Sequence, residues 1–367
     1  MSALGLVIPG LLGPFSSDLT TNTPAHIEQQ LKEADFQLLK KWLSKAQLKT
    51  TFHRTYYATL AGLIGAEKML PPSQSGWCEL SARYDGVDTS QGFYYRADPV
   101  HFSAQADHAI LLGTQLLSPS AQEMQALINA FNQHFQQEDI SLHASDPSRW
   151  YLQSDRKLAV EFNALDYSLG RDIKHFMPAG EDALWWRKIL NEAQMLFFQH
   201  EVNLQREAKN QLTINGLWLW DSFVEVAEGE TVGGIGEGDK TRAQKIYTDN
   251  AMATDLAGAL ARQYGDLALE LYTDQTVYEA DSLVVVEQLY GAVCYGDIDA
   301  WLEDLRGYCR AYFPQIINML KSGQLDEVNI YPCDGRVFRV DRLQLMKFWK
   351  SANTIQSYFS AAQPGSN

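Results

Sequence analysis

Residues Leu4 to Ile8 form an unbroken apolar run that stops at Pro9-Gly10. A short run with no polar alternation reads as a strand buried on both faces, followed by a turn from Pro9 to Pro14. A helical pattern starts at about Pro24, where Thr23 suits the cap and Pro24 the first turn. Ile27, Leu31, Ala34, Leu38 and Leu39 keep helical spacing, and Trp42 and Leu43 extend the stripe. A second helix, about His53 to Ala66, ends before Pro71-Pro72. Strand, turn and helix in that order are how α/β domains begin.

The alternation returns in the second half. A long helix fits Glu181 to Ala208, and Ile214 to Trp220 is strand-like, ending at Asp221-Ser222. The acidic, glycine-rich run Glu228 to Gly238 reads as a loop. A helix (about Thr241 to Tyr264), strands at Leu267 to Tyr272 and Leu283 to Glu287, and a helix (about Ile298 to Lys321) follow. The last strand, Val328 to Cys333, turns through Asp334-Gly335 into Val337 to Val340. This pattern predicts a doubly covered, mostly parallel sheet with loops at its strand ends as the default ligand site.

Between the two halves the texture changes. Gly92 to Phe102 and His108 to Leu112 read as extended, and Pro119 to Gln137 as a helix with Leu127, Ile128, Phe131 and Phe135 on one face. Strands at Ile140 to His143 and Trp150 to Gln153 follow. The expected organisation is therefore a discontinuous α/β core, residues 1–72 and 166–367, interrupted by an inserted α+β subdomain over residues 73–165.

Length agrees with roughly two domains: 367 residues, 46% hydrophobic and 20% charged. Acids outnumber bases 45 to 30, a formal charge of −15 that repels a phosphate backbone and argues against general nucleic-acid binding. No Lys or Arg precedes the first apolar run, which is too short to span a bilayer. Cys78, Cys294, Cys309 and Cys333 contain no CxxC pair and make no disulfide framework. The expectation is a cytoplasmic protein that binds neither membrane nor nucleic acid.

Chemical motifs are sparse. Gly233-Gly234-Ile235-Gly236-Glu237-Gly238-Asp239-Lys240-Thr241 resembles a phosphate cradle, but Asp239 separates the last glycine from Lys240-Thr241, so it reads as an acidic loop. The eight histidines form no HxxxH or HExxH pair. Asp166, Asp172, Asp221, Asp297 and Asp334 stand near expected strand ends or turns, where capping explains them as well as cation binding does. There is no GxSxG elbow, and no motif calls for a cofactor. Three polar clusters remain: Arg96-Ala97-Asp98-Pro99-Val100-His101, Asp146-Pro147-Ser148-Arg149-Trp150, and His200 to Arg206. Turn anchoring and ion pairing account for such clusters more often than ligand binding does. They are still the first places to look for an anion receptor, because arginine matches carboxylate and phosphate geometry.

The order of His200-Glu201-Val202-Asn203, Arg206 and Ile214-Asn215-Gly216 resembles a His-Pro-Val-Asn segment, an arginine and an Asn-containing strand of the archaeal-type cofactor-independent phosphoglycerate mutases, in the alkaline phosphatase superfamily. The opening strand with Pro9-Gly10, Gly296-Asp297, and Val328 to Asp334 resemble its other elements. Arg-Ala-Asp-Pro-Val-His and the Trp-rich helix resemble the proteobacterial group of regulatory proteins of the RpfE type more closely. The resemblance implies an alkaline-phosphatase-like fold, two metal ions held by Asp and His, and phosphoryl transfer through Ser or Thr. The expected first metal ligand is replaced by Pro9, the later ligand segment keeps only Asp297, and the closing Asp-His pair becomes Asp334-Gly335. The expected function is therefore a mutase-like protein without the two-metal site that binds a small anion or a protein partner, with Arg96, Asp98, His101, His200, Asn203, Arg206, Asn215 and Asp221 as candidate ligand residues. The alternative is a phosphomutase or phosphohydrolase with a rearranged site drawn from Asp172, Asp221, Asp297 and Asp334.

Overall fold

A computed structural model describes residues 2–13, 25–51, 56–64, 77–105, 107–220, 245–248, 268–271 and 278–346. In chain order the first half gives β1 (Ala3–Val7), α1 (Ala25–Gln30), α2 (Gln37–Lys45), β2 (Gln47–Thr50), α3 (Tyr56–Ile64), α4 (Trp77–Tyr84) and β3 (Phe93–Ala104). There follow β4 (Ala109–Leu112), α5 (Thr114–Leu117), α6 (Ala121–His134), β5 (Ile140–Asp146), β6 (Arg149–Ser154), α7 (Leu165–Ser168), α8 (Ala183–Phe198) and α9 (Glu201–Ala208). The chain continues through β7 (Gly216–Trp220), β8 (Lys245–Thr248), β9 (Ala268–Leu271), β10 (Ser282–Val285) and α10 (Gln288–Cys294). It closes with α11 (Ile298–Ala311), α12 (Phe313–Ser322), β11 (Glu327–Tyr331), β12 (Arg336–Asp341) and α13 (Arg342–Leu345).

Two compact units result, one from Met1–Met69 with Val226–Asn367, the other from Leu70–Glu225. The first holds a seven-stranded sheet in the order β2-β12-β11-β1-β10-β8-β9. Its five strands from β11 to β9 run parallel, and β12 and β2 add antiparallel at one edge. The apolar β1 lies at the centre, buried throughout as a strand with neighbours on both edges must be. Leu4, Leu6, Val284, Val328 and Ile330 share one core with helix residues such as Trp42, Trp301, Leu305 and Ile316. The fold class is the expected α/β with a mostly parallel sheet.

The second unit is built on the order β4-β3-β6-β5, with β7 pairing the other edge of β3. This differs from the expected organisation: residues 166–220 lie in this unit and not with the seven-stranded sheet. Leu217 and Leu219 of β7 pack with α6 and α8, and β7 pairs with β3 from Arg96 to Val100. The strand pattern was right and the sheet assignment wrong, because strand partners are set by contacts far apart in sequence.

Three expected helices are each interrupted, the first between Gln30 and Gln37, where the stripe from Pro24 to Leu43 divides into α1 and α2. The span 298–321 divides at Tyr312, where Pro314 has no N–H to continue the ladder and starts α12 instead. The span 181–208 divides at His200, whose extended backbone (φ −73°, ψ 141°) begins α9, its Nδ1 accepting from the Val202 N–H. Among the described residues no helix is long and apolar enough to cross a membrane. The glycine-rich run 228–238 lies outside the described residues, as does most of the expected helix 241–264. Where that span is described, Lys245–Thr248 form β8 instead, because Ile246, Tyr247 and Thr248 suit a buried strand between two parallel neighbours.

Candidate functional site

In the seven-stranded sheet the parallel strands bring their carboxyl ends to one edge, where α/β folds hold ligands. Of the loops after Ile8, Trp220, Glu287 and Cys333, at the ends of the strands read from the sequence, three follow strands of this sheet, β1, β10 and β11. The Ile8 N–H donates to the Tyr331 carbonyl at 2.9 Å and the Val286 N–H to the Val7 carbonyl at 2.9 Å. The fourth would follow β7, which is a strand of the other sheet. Gly10 takes a left-handed conformation (φ 80°), and the Trp301 indole donates to its carbonyl at 2.8 Å. A Cβ at Gly10 would stand 2.5 Å from Val293 Cγ2, so only glycine fits this turn. Cys333 is also left-handed (φ 66°), an uncommon state for a residue with a side chain.

This edge is aromatic and acidic. Glu287, buried just before α10, faces the buried Tyr56 hydroxyl. Burial first, and then the Glu287 charge, hold the Tyr56 pKa well above the usual tyrosine value. The Tyr56 ring lies 5.2 Å from Tyr57 and 5.8 Å from Tyr290 between centroids. Tyr56 therefore stays protonated at neutral pH and offers a hydrogen-bond donor rather than a phenolate nucleophile.

The carboxylates considered for metal binding do local work. Asp297 caps α11, accepting from the Ala300 N–H at 3.0 Å. Asp334 accepts from the Arg336 N–H at 3.0 Å and from its Nε at 2.9 Å. Asp172 lies in the second unit and accepts from the Lys174 N–H at 3.0 Å. Pro9 has no ligating side chain, and among the described residues no three His, Cys, Asp or Glu side chains gather around a common point. That donor set does not fit a two-metal centre. The side chain of Asp166, and Asp221 entirely, lie outside the described residues.

The candidate ligand residues fall mainly in the second unit, and the structure gives them internal partners. Side chains on β3 alternate: Tyr95 and Ala97 enter the core with α6 and α8, while Tyr94, Arg96 and Asp98 face the opposite way. Arg96 and Asp98, two residues apart, therefore stand on one face and pair. Arg96 Nε and Nη2 donate to Asp98 Oδ1 at 3.0 and 2.7 Å, and Nη1 to Ser81 Oγ of α4 at 3.3 Å. The Trp220 indole donates to Asp98 Oδ2 at 2.8 Å, and the guanidinium lies 5.4 Å from both the Trp220 and the Tyr151 ring centroids. Ser81 Oγ is 2.7 Å from the Tyr151 hydroxyl, which donates to Asp85 Oδ2 at 2.6 Å. Arg149 closes the chain with a fork onto Asp85 at 2.9 and 2.8 Å. Burial raises the Asp98 pKa above the usual carboxylate value, with Arg96 pulling the other way.

The remaining candidates are anchors of the backbone. Asn203 Nδ2 donates to the Phe197 and Ile214 carbonyls, both at 2.8 Å, and its Oδ1 accepts from the Ile214 N–H at 2.8 Å. Asn215 brackets Phe102 in the same way, accepting from its N–H at 2.7 Å and donating to its carbonyl at 3.2 Å. Arg206 donates from Nε to the Leu212 carbonyl at 2.6 Å, from Nη1 to Glu123 at 2.9 Å, and from Nη2 to the Leu117 carbonyl. His101 Nδ1 is 2.9 Å from the Thr213 carbonyl oxygen. These side chains hold β3, α8, α9 and the turn before β7 together. Tyr56, Glu287, Ser81, Asp85 and Tyr151 carried no local sequence signal; only the position of Glu287 at the end of an apolar strand marked it.

No family model matches the chain, and no curated protein matches it. Among solved structures, the cofactor-independent phosphoglycerate mutase from Thermoplasma acidophilum DSM 1728 superposes with a TM-score of 0.39 at 14% identity, covering 100% of this chain and 96% of that chain. The PH0037 protein from Pyrococcus horikoshii gives a TM-score of 0.44 at 12% identity, covering 93% of this chain and 87% of that chain.

Proposed function

We propose that this chain is a phosphoglycerate-mutase-like member of the alkaline phosphatase superfamily, of the RpfE-type group, that has lost phosphoryl transfer and acts in the cytoplasm by binding a protein partner in a regulatory role. The observation that carries the reading is the donor set at the carboxyl edge of the large sheet. Pro9 offers no ligand, Asp297 is spent on a helix cap, and Asp334 is spent on Arg336. Two adjacent divalent ions need several unengaged carboxylates and imidazoles, and among the described residues this edge presents tyrosines, a thiol and Glu287 instead. A protein partner is favoured over a small anion because Arg96 and Arg206 direct their N–H groups at acceptors of their own unit.

The test is elemental analysis of the purified chain, with turnover of 3-phosphoglycerate measured in added Mn²⁺ or Zn²⁺. The expected result is substoichiometric metal and no turnover. Stoichiometric metal, with turnover lost in Asp297→Ala, would instead establish the rearranged-site phosphomutase. A thermal-shift screen of phosphorylated and carboxylated metabolites separates the ligand classes, since stabilisation that disappears in Arg206→Met would favour the small anion.

A further inference from the structure

The second unit leaves one side of α8 uncovered. Trp186, Ile189, Ala193 and Phe197 enter the core beneath it, while Leu184, Lys188, Asn191, Met195 and Phe198 line the outward side. Their spacings of four, three, four and three residues place them in one row. Leu184 is 78% exposed, and Met195 and Phe198 are each 66% exposed. Large apolar side chains at that exposure, repeated along one helix row, mark a contact surface rather than scattered surface residues.

We propose that this row is a self-association surface, on which α8 of a second copy of the chain packs antiparallel with Asn191 at the two-fold axis. The row is complementary to itself in that arrangement. Leu184 and Phe198 stand seven residues to either side of Asn191, so each Leu184 meets the partner's Phe198. The two Asn191 amides, each donor and acceptor, can hydrogen-bond across the axis, and a lone asparagine in such a row fixes register. Charge selects the direction. Lys188 lies three residues before the axis and Glu192 one after it, which brings the partner's Glu192 to within about 3 Å of Lys188 along the helix axis. Within one chain Lys188 Nζ is 3.7 Å from Glu192 Oε1, so the antiparallel arrangement gives each ammonium a second carboxylate. A parallel arrangement would set Lys188 against its own copy.

Size sets the strength. Leu184 to Phe198 spans about 21 Å of helix, and two helices in contact over that length bury less than the ~1,200–2,000 Å² of a stable complex. Association is therefore concentration-dependent. The inference deepens the partner-binding reading without depending on it, since metal content and turnover test that reading and particle mass tests this one.

The experiment is sedimentation velocity of the full chain from about 1 µM to about 300 µM, the range suited to an interface this small. The expected result is a rise towards twice 41.4 kDa. Phe198→Glu should raise the dissociation constant at least about tenfold with an unchanged far-UV spectrum. Asn191→Cys should give a covalent dimer on oxidation beyond the background of the unsubstituted chain. Leu184→Cys should not, because its two copies stand about 21 Å apart, against a disulfide Cα reach of about 4.4–6.8 Å. A monomer over the whole range, a dimer indifferent to Phe198→Glu, or crosslinking at 184 equal to that at 191 would overturn the proposal.

Discussion

Removing the Asp98 carboxylate separates an anchoring role from a ligand-binding one. In Asp98→Ala the Arg96 guanidinium loses the carboxylate that its Nε and Nη2 donate to, and the Trp220 indole its acceptor, both inside the protein. Breaking one side of a buried pair costs about 3–5 kcal/mol, against about 5–15 kcal/mol for a whole domain. With a urea slope of about 2 kcal/mol/M, the midpoint of the second unit should fall by about 1.5–2.5 M. Tryptophan fluorescence reports it, because Trp220 sits on the pair. The raised Asp98 pKa carries a second expectation: burial costs this carboxylate more than Arg96 returns. Replacing both partners, as in Arg96→Met with Asp98→Leu, should therefore recover most of the loss, since neither charge is then left alone. A loss below about 1 kcal/mol in Asp98→Ala, or a double variant as unstable as the two single losses added together, would refute the argument.

Three further outcomes follow from the same geometry. Gly10→Ala places a Cβ 2.5 Å from Val293 Cγ2 on a left-handed backbone, and should cost about 1–3 kcal/mol in thermal unfolding of the first unit. Burial raises the Tyr56 and Tyr151 pKa values well above the ordinary one. The unfolded chain thus releases protons near pH 10 that the folded chain keeps, and stability should fall as pH rises past about 10; urea midpoints from pH 8 to 11 should show the slope, and Tyr56→Phe should reduce it. Asn132 accepts from the Leu142 N–H at 2.6 Å and donates to its carbonyl at 2.9 Å, closing the open edge of β5. Asn132→Ala should expose that edge and raise light scattering on mild heating.

Much of the fold was legible because its signals are local. The apolar run at Leu4 to Ile8 sits at the centre of the parallel sheet, and the strand from Val328 and the hairpin through Asp334-Gly335 are present within a residue or two. The breaks at His200 and Pro314 were legible in principle, since one residue caps a helix and the other cannot continue one. The assignment of Ile214 to Trp220 was not. Its apolar pattern suits either sheet, and its place beside β3 depends on residues more than a hundred positions away.

The candidate site divides along the same line, and the reason lies in strand geometry. An arginine and an aspartate two residues apart in a strand must share a face, and on that face of β3 they meet α4 and the end of β7. Once there, each satisfies the other, and the residue types that would have bound an anion become the means of holding two elements to a sheet. Asn203 and Asn215 follow the same logic, since an amide side chain presents the donor and acceptor of a peptide group and can close a backbone where no strand is available. Polar residue types in a strand or at a helix start are therefore weak evidence of a ligand until their geometric neighbours are known. What local patterning does mark is the opposite case, large apolar side chains in register where the core does not reach, and Leu184, Met195 and Phe198 on the outward row of α8 are that case in this chain.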